Sequence, residues 1–129
     1  MAVTSNLAQF QLGIRRFERK AEERRKGITK AVALRALQGL VSGTRVDTGR
    51  ARGNWQLGEG APPEGFDESK TDKTGSSTIG IGSREILAME GDEVIWLHNG
   101  VPYIGVLEDK DKMLAGNVQA LRAWLKAQP

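Results

Sequence analysis

Cysteine is absent from this sequence of 129 residues. That excludes a disulfide framework and thiolate chemistry. Histidine occurs once, at position 98. One imidazole without thiolates supplies too few donors for a zinc centre, and no cofactor is expected. No apolar run approaches the roughly 20 residues that cross a bilayer. The opening stretch MAVTSNLAQF lacks both the basic flank and the apolar block of a signal peptide. No GK[ST] phosphate loop occurs, and the GEG at 58–60 and GIG at 80–82 belong to no strand–GxGxxG–helix unit. With 39% hydrophobic and 27% charged residues, the chain reads as one globular domain, large enough for a modest core but not for two. A cytoplasm is the expected place of synthesis, and no membrane contact is expected.

Charge is unevenly spread. Residues 1–52 hold 12 Lys/Arg against 4 Asp/Glu, a net of +8, and residues 53–129 hold 7 against 12, a net of −5. A basic end suits nucleic acid. The same asymmetry suits head-to-tail contact between identical subunits.

The first 43 residues predict helix. Leu7, Phe10, Ile14, Phe17, Ala21 and Ile28 hold one helical face, with Ser5 or Asn6 as the cap. Arg15, Arg16, Arg19, Lys20, Glu22, Glu23, Arg25 and Lys26 fill the opposite side. Gly27 is the weak point, costing about 1 kcal/mol relative to alanine, and marks an expected bend or break. Ala31, Leu34, Leu37, Leu40 and Val41 continue an apolar face to Ser42-Gly43. So long a stripe exceeds what one small domain covers, so part of it is expected to meet another subunit.

Residues 50–57 read as a strand with Trp55 and Leu57 on one face. The stretch 58–77 is rich in Gly, Pro, Ser and charge, a polar loop or arm with too little apolar surface to order itself. Residues 78–82 alternate as a short strand, and 84–90 fit helix or strand equally. Residues 94–98 are apolar on both faces and predict a central strand. Asn99-Gly100 turns the chain, and Pro102 opens a short helix whose Tyr103, Val106 and Leu107 share a face. A terminal helix spans 113–127, with Leu114, Val118, Leu121 and Leu125 as its stripe. The expected fold class is α+β. One domain, 1–129, divides into a helical region (1–43), a sheet region (44–110) bearing an arm (58–77), and a C-terminal helical region (111–129). Trp55, Trp96, Tyr103 and Leu107 are the expected core.

Asp47-Thr48-Gly49 spells the triplet of aspartic proteases, which place it at the end of an apolar strand and share one proton between two carboxylates. Here it follows a helix among Arg45, Arg50 and Arg52, a setting that favours a permanent anion. The expected roles are structural: Asp47 accepts backbone N–H groups in a turn, and Gly49 takes positive φ. His98, with no second histidine or paired nucleophile, reads as structural. Glu90, Asp92, Glu93, Glu108, Asp109 and Asp111 read as solvated turn residues. The basic helix keeps open a helix-dimerising, nucleic-acid-binding alternative, although Phe10 and Phe17 fall on the apolar stripe rather than among the basic residues.

In order, a long amphipathic helix, a VDTGxxRxxW turn (Val46, Asp47, Thr48, Gly49, Arg52, Trp55) and an HNGVPYIGVLE segment (His98 to Glu108) resemble the neck and tail-completion proteins of tailed bacteriophages. That family pairs DTG-x-[LA]-R-x-x-W with N-x-x-PY-x-x-x-LE, the second half falling here on Asn99, Pro102, Tyr103, Leu107 and Glu108. The likeness covers roughly residues 5–110. It departs after Glu108, where Asp109-Lys110-Asp111-Lys112 stands in place of the glycine and small residues of many members. The resemblance implies a non-enzymatic virion protein at the head–tail junction, assembled in the host cytoplasm. It implies a homo-oligomeric ring, six-fold or alternatively twelve-fold, beside connector and tail-tube proteins. Genome DNA would pass through the lumen without sequence-specific binding. Glu64, Phe66, Asp67 and Glu68 are then candidates for an inter-subunit arm.

Overall fold

The computed structural model describes the backbone of residues 2–129 and the side chains from Ile14 onward. The expected cap at Ser5 or Asn6 and the stripe positions Leu7 and Phe10 lie outside the described side chains.

The first helix, α1 (Ala2–Gly43), runs through Gly27 without a break. Its 42 residues reach about 63 Å at 1.5 Å per residue. A lone glycine at an open position weakens a helix without stopping it, and a Cβ at 27 would meet nothing within 4 Å. The two halves of α1 differ sharply. From Ile14 to Arg25 every side chain is exposed, Phe17 to 74%. From Ala33 to Val41 the helix supplies Ala33, Ala36, Leu37, Leu40 and Val41 to the core, the i, i+3, i+4 spacing of a buried face.

Beyond α1 come α2 (Arg50–Gly53), β1 (Trp55–Glu59), α3 (Ser76–Ala88), β2 (Ile95–Asn99), α4 (Ile104–Asp111) and α5 (Met113–Lys126). The fold is α+β, as the sequence predicts. Among the described residues the sheet has two strands, antiparallel, with Trp55 opposite Asn99 and Glu59 opposite Ile95. Trp55, Ile86 and Met113 join the buried face of α1 in one core, with Leu57, Ile95, Leu97, Ile104 and Leu107 packed against it.

Several expectations are corrected. Residues 50–53 form a helical turn, so the strand starts at Trp55 rather than Arg50. Residues 78–82 are helical, and so are 84–88. The apparent alternation there misleads because two of its members are glycines. At helical spacing, Thr78, Gly82 and Ile86 form one buried face. Gly82 lets α3 approach α1 closely, since a Cβ there would stand 2.6 Å from Leu37 Cδ2. β2 is not central: it pairs with β1 alone, leaving Val94 63% and Trp96 40% exposed. α4 begins at Ile104, with Tyr103 at the cap position and Pro102 outside it. Tyr103 is 37% exposed and Val106 more so, leaving Ile104 and Leu107 to pack inward. Trp96 and Tyr103 are therefore not core residues, whereas Trp55 is.

α5 runs antiparallel along α1. Asn117 Nδ2 donates to the Ala36 carbonyl at 3.0 Å, the Arg35 guanidinium lies 4.4 Å over the Trp124 ring, and Arg24 donates to the Pro129 carbonyl. Leu114, Val118 and Leu121 of the predicted α5 stripe line an apolar cleft of about 440 Å³ with Ala36 and Leu40 of α1 and with Leu97, Ile104 and Met113, and Leu114 and Leu125 are about half exposed.

Candidate functional site

The two sequence motifs, far apart along the chain, close into one joint. Its first half resolves the C-terminal end of α1, whose last carbonyls have no partner within the helix. Arg52 supplies donors: Nε and Nη2 reach the Thr44 carbonyl at 3.1 and 2.9 Å, and Nη2 reaches that of Ser42 at 3.1 Å. Its Nη1 donates to the Lys73 carbonyl at 2.8 Å. Trp55 Nε1 donates to Thr44 Oγ1 at 2.8 Å, and that buried hydroxyl donates in turn to the Leu40 carbonyl. Gly49 adopts φ 87°. Its carbonyl accepts from Gly53 N at 2.8 Å and Asp72 N at 2.9 Å. A Cβ there would lie 2.7 Å from Lys73 N, so space and backbone both require glycine.

The second half docks on the first. Asn99 Nδ2 donates to the Ala51 carbonyl at 2.7 Å, and its Oδ1 accepts from Val101 N at 3.2 Å. Tyr103 and Leu107 line a small cleft with Arg45, Asp47, Thr48 and Gly49. Glu108 accepts from Leu114 N at 2.6 Å and Ala115 N at 3.2 Å, capping the start of α5. Pro102 is exposed beside this joint.

Asp47 behaves differently from expectation. It is exposed, and among the described residues no hydrogen bond or ion pair reaches its carboxylate. Thr48 Oγ1 accepts the turn's N–H, from Arg50 at 3.2 Å. The three nearby arginines are engaged elsewhere: Arg45 with Asp111 at 2.6 Å, Arg50 Nε with the Glu68 carbonyl at 3.1 Å, and Arg52 as above.

The polar segment is also corrected. Its first two residues complete β1 and its last two open α3, leaving a loop over 60–75 held by its own chain. Asn54, almost wholly buried, donates to the carbonyls of Asp67 at 3.0 Å and Lys70 at 3.3 Å and accepts from Asp67 N at 2.8 Å. Gln56 Nε2 reaches the Gly65 carbonyl at 2.9 Å. Hydrogen bonds replace the apolar anchoring that the loop lacks. The Asp67 carboxylate accepts from Ser69 Oγ and N at 2.6 and 2.9 Å. The Ser69 hydroxyl, then its N–H, holds the Asp67 carboxyl below its ordinary range. Glu64 and Phe66 line a cleft of about 410 Å³ with Ile81 and Glu85 of α3, and Glu68 is exposed.

Asp72 is the carboxylate that sequence reasoning missed. It accepts from Gly75 N at 3.0 Å and from Thr78 N and Oγ1 at 2.8 Å each, and so starts α3. Partial burial raises its pKa, but the hydrogen bonds from Thr78, Gly75 and Thr74 outweigh it and the net direction is down. The signal was legible: Asp72 stands three residues before Gly75-Ser76-Ser77-Thr78, a helix-start pattern. Asn54 carried no such signal, because its role depends on residues more than ten positions away.

Comparison with protein-family models, curated proteins and solved structures gave no match. Chemistry must be judged from the side chains themselves. Among the described residues no group of three or more His, Cys, Asp or Glu is placed to hold a metal. His98 Nε2 is buried without a hydrogen-bond partner. No described helix is long and apolar enough to cross a membrane. Arg52, Asn99 and Glu108 of the two motifs bond to backbone groups of their own chain and so act as parts of a joint.

Proposed function

We propose that this chain is a structural subunit of a tailed-bacteriophage virion, a ring-forming neck or tail-completion protein at the head–tail junction. The observation that carries the reading is the closure of the two motifs. Arg52 and Trp55 anchor the end of α1, and Asn99, directly opposite Trp55, bonds back to Ala51. Two short motifs that resemble one family thus form a single unit, with roles that need no catalytic group. The exposed half of α1 supports the oligomeric part of the reading, since it presents Ile14 and Phe17 to solvent, and such surfaces mark contact sites. The partners are further copies of this chain in a six-fold or twelve-fold ring, the adjoining connector and tail-tube proteins, and DNA that passes without being read. No cofactor and no catalytic residue enters the reading, and the virion neck is its place.

Size-exclusion chromatography with light scattering, followed by negative-stain imaging, tests it. The expected result is a closed ring of fixed subunit number. A chain that stays monomeric or dimeric at every concentration overturns the reading. Exposed Arg15, Arg16, Arg19, Lys20 and Arg25 on α1 favour nucleic-acid binding as the second reading. A duplex-DNA gel shift at about 0.15 M salt, which screens weak surface attraction, tests it: an unshifted duplex overturns the second reading.

A further inference from the structure

Two exposed surfaces of this molecule complement each other in charge and apolar character. The first is the projecting part of α1, residues 14–25. Phe17 is 74% and Ile14 42% exposed, on a helix whose flanking side chains include Arg16, Lys20 and Arg25. Among the described residues none of these three basic groups takes part in an ion pair. α5 packs along α1, and beyond it the chain end reaches Arg24, where the Pro129 carbonyl accepts from the guanidinium. The second surface is the cleft between the 60–75 loop and α3. Phe66 and Ile81 are partly exposed there, and the lining carries Glu64, Asp67 and Glu85 against a single basic residue, Lys70. Glu64 and Glu85 have no ion-pair partner among the described residues. The loop wall is fixed in place by Asn54 and Gln56, so the cleft is preformed and binding need not order it.

We propose that residues 14–25 of one copy dock in the loop–α3 cleft of a second copy, with Phe17 on Phe66 and Ile81, and Arg16 and Lys20 against Glu64 and Glu85. The proposal rests on the ring reading and names its interface. Because the two surfaces differ, the contact is heterologous, and it gives a ring where its rotation closes about an axis. The basic surface belongs to the +8 part of the sequence and the acidic one to the −5 part, so charge complementarity sets the direction in which copies join. Apolar contact at the centre with charges at the rim is the usual anatomy of such an interface. The same basic helix could instead meet DNA; the charge-swap experiment separates the two.

The experiment uses the full chain and four variants, with assembly followed by light scattering and fold by circular dichroism. Arg16→Glu/Lys20→Glu and Glu64→Lys/Glu85→Lys should each weaken assembly about tenfold or more, equivalent to about 1.4 kcal/mol. Their combination should recover assembly to within about threefold, equivalent to roughly 0.7 kcal/mol. Phe17→Ser should abolish assembly with unchanged helix content, since this side chain contributes little to its own subunit. Rings that ignore both charge reversals overturn the proposal and leave the ring reading standing. A combined variant no better than either half also overturns it, because the two surfaces then do not touch. A wild-type chain that never assembles overturns both proposal and ring reading. Duplex-DNA binding lost on Arg16→Glu/Lys20→Glu, with assembly unaffected, assigns the helix to nucleic acid and likewise overturns the docking.

Discussion

The two halves of α1 share one continuous helix and have opposite surroundings. In the C-terminal half, Leu37 and Val41 are fully buried and Leu40 nearly so, and the helix end is closed by Arg52 and Trp55. In the N-terminal half, residues 14–25 touch almost nothing of their own subunit. Periodicity alone does not separate them, because both carry apolar residues at helical spacing. What separates them is the supply of partners. α3, the hairpin and α5 converge on the second half, and only the chain end beyond α5 reaches Arg24. An apolar stripe therefore records that a face is meant to be covered, without saying by which chain.

The largest effect should come from the covered half. Leu37 meets both α3, at Gly82, and the rest of the core. Leu37→Ala should lower unfolding free energy by about 2–5 kcal/mol, whereas Phe17→Ala should stay within about 0.5 kcal/mol. Urea titrations of the two proteins measure the contrast. Equal losses would mean that the projecting half is folded against its own subunit and that the comparison fails.

Arg52 comes next. Arg52→Ala leaves the carbonyls of Ser42, Thr44 and Lys73 without their charged donor, and bonds to charged groups contribute about 1.5–3 kcal/mol. Arg52→Lys should recover only part, because an ammonium lacks the planar fork that reaches two strands of backbone at once. A full recovery in thermal melts would show that charge alone, rather than geometry, closes the helix end.

Asp72 should show a smaller effect and a pH signature. Asp72→Asn should cost about 0.5–2 kcal/mol, in the range of a lost helix cap. The folded-state pKa lies below the ordinary aspartate value of about 3.8, so the carboxylate contributes its full stability above that ordinary value. The contribution disappears as pH falls from about 3.8 through the lower folded pKa. Stability of wild type and Asp72→Asn should therefore differ fully at neutral pH, begin to converge as pH falls through the ordinary aspartate range and meet only below the folded-state pKa. A difference that persists unchanged into acid would mean that the carboxylate's charge is not what starts α3.

The sequence made the outline legible where local chemistry decides: the long helix, the terminal helix, two strands that pair, and the turn at Asn99. It misled where tertiary contact overrode a local pattern. Thr78 to Gly82 alternates like a strand, yet Asp72 caps it as a helix and Gly82 is small for the sake of Leu37. Residues 94–98 look buried on both faces, yet only one strand pairs with them. The motif residues were found, but their task was not: Asp47 carries no bond of the turn, and the key donors are Arg52, Trp55 and Asn99. Asn54 was invisible because a buried amide that binds a distant loop leaves no periodic trace.

The smallest expected effect tests the boundary between the two halves. Gly27 lies where exposed helix meets covered helix, and an added Cβ there would meet nothing within 4 Å. Gly27→Ala should therefore gain helix propensity, about 0.8–1 kcal/mol, with no steric loss. The gain should be local. Core packing from Ala33 onward does not depend on residue 27, whereas the projecting half depends on helical continuity through it. Amide hydrogen exchange over residues 16–26 should slow about four- to fivefold, the factor that such a propensity gain allows. The global unfolding midpoint should hardly move. If exchange is unchanged while the midpoint rises, the projecting half unfolds only with the body, and α1 is one cooperative unit rather than a covered half bearing an exposed one.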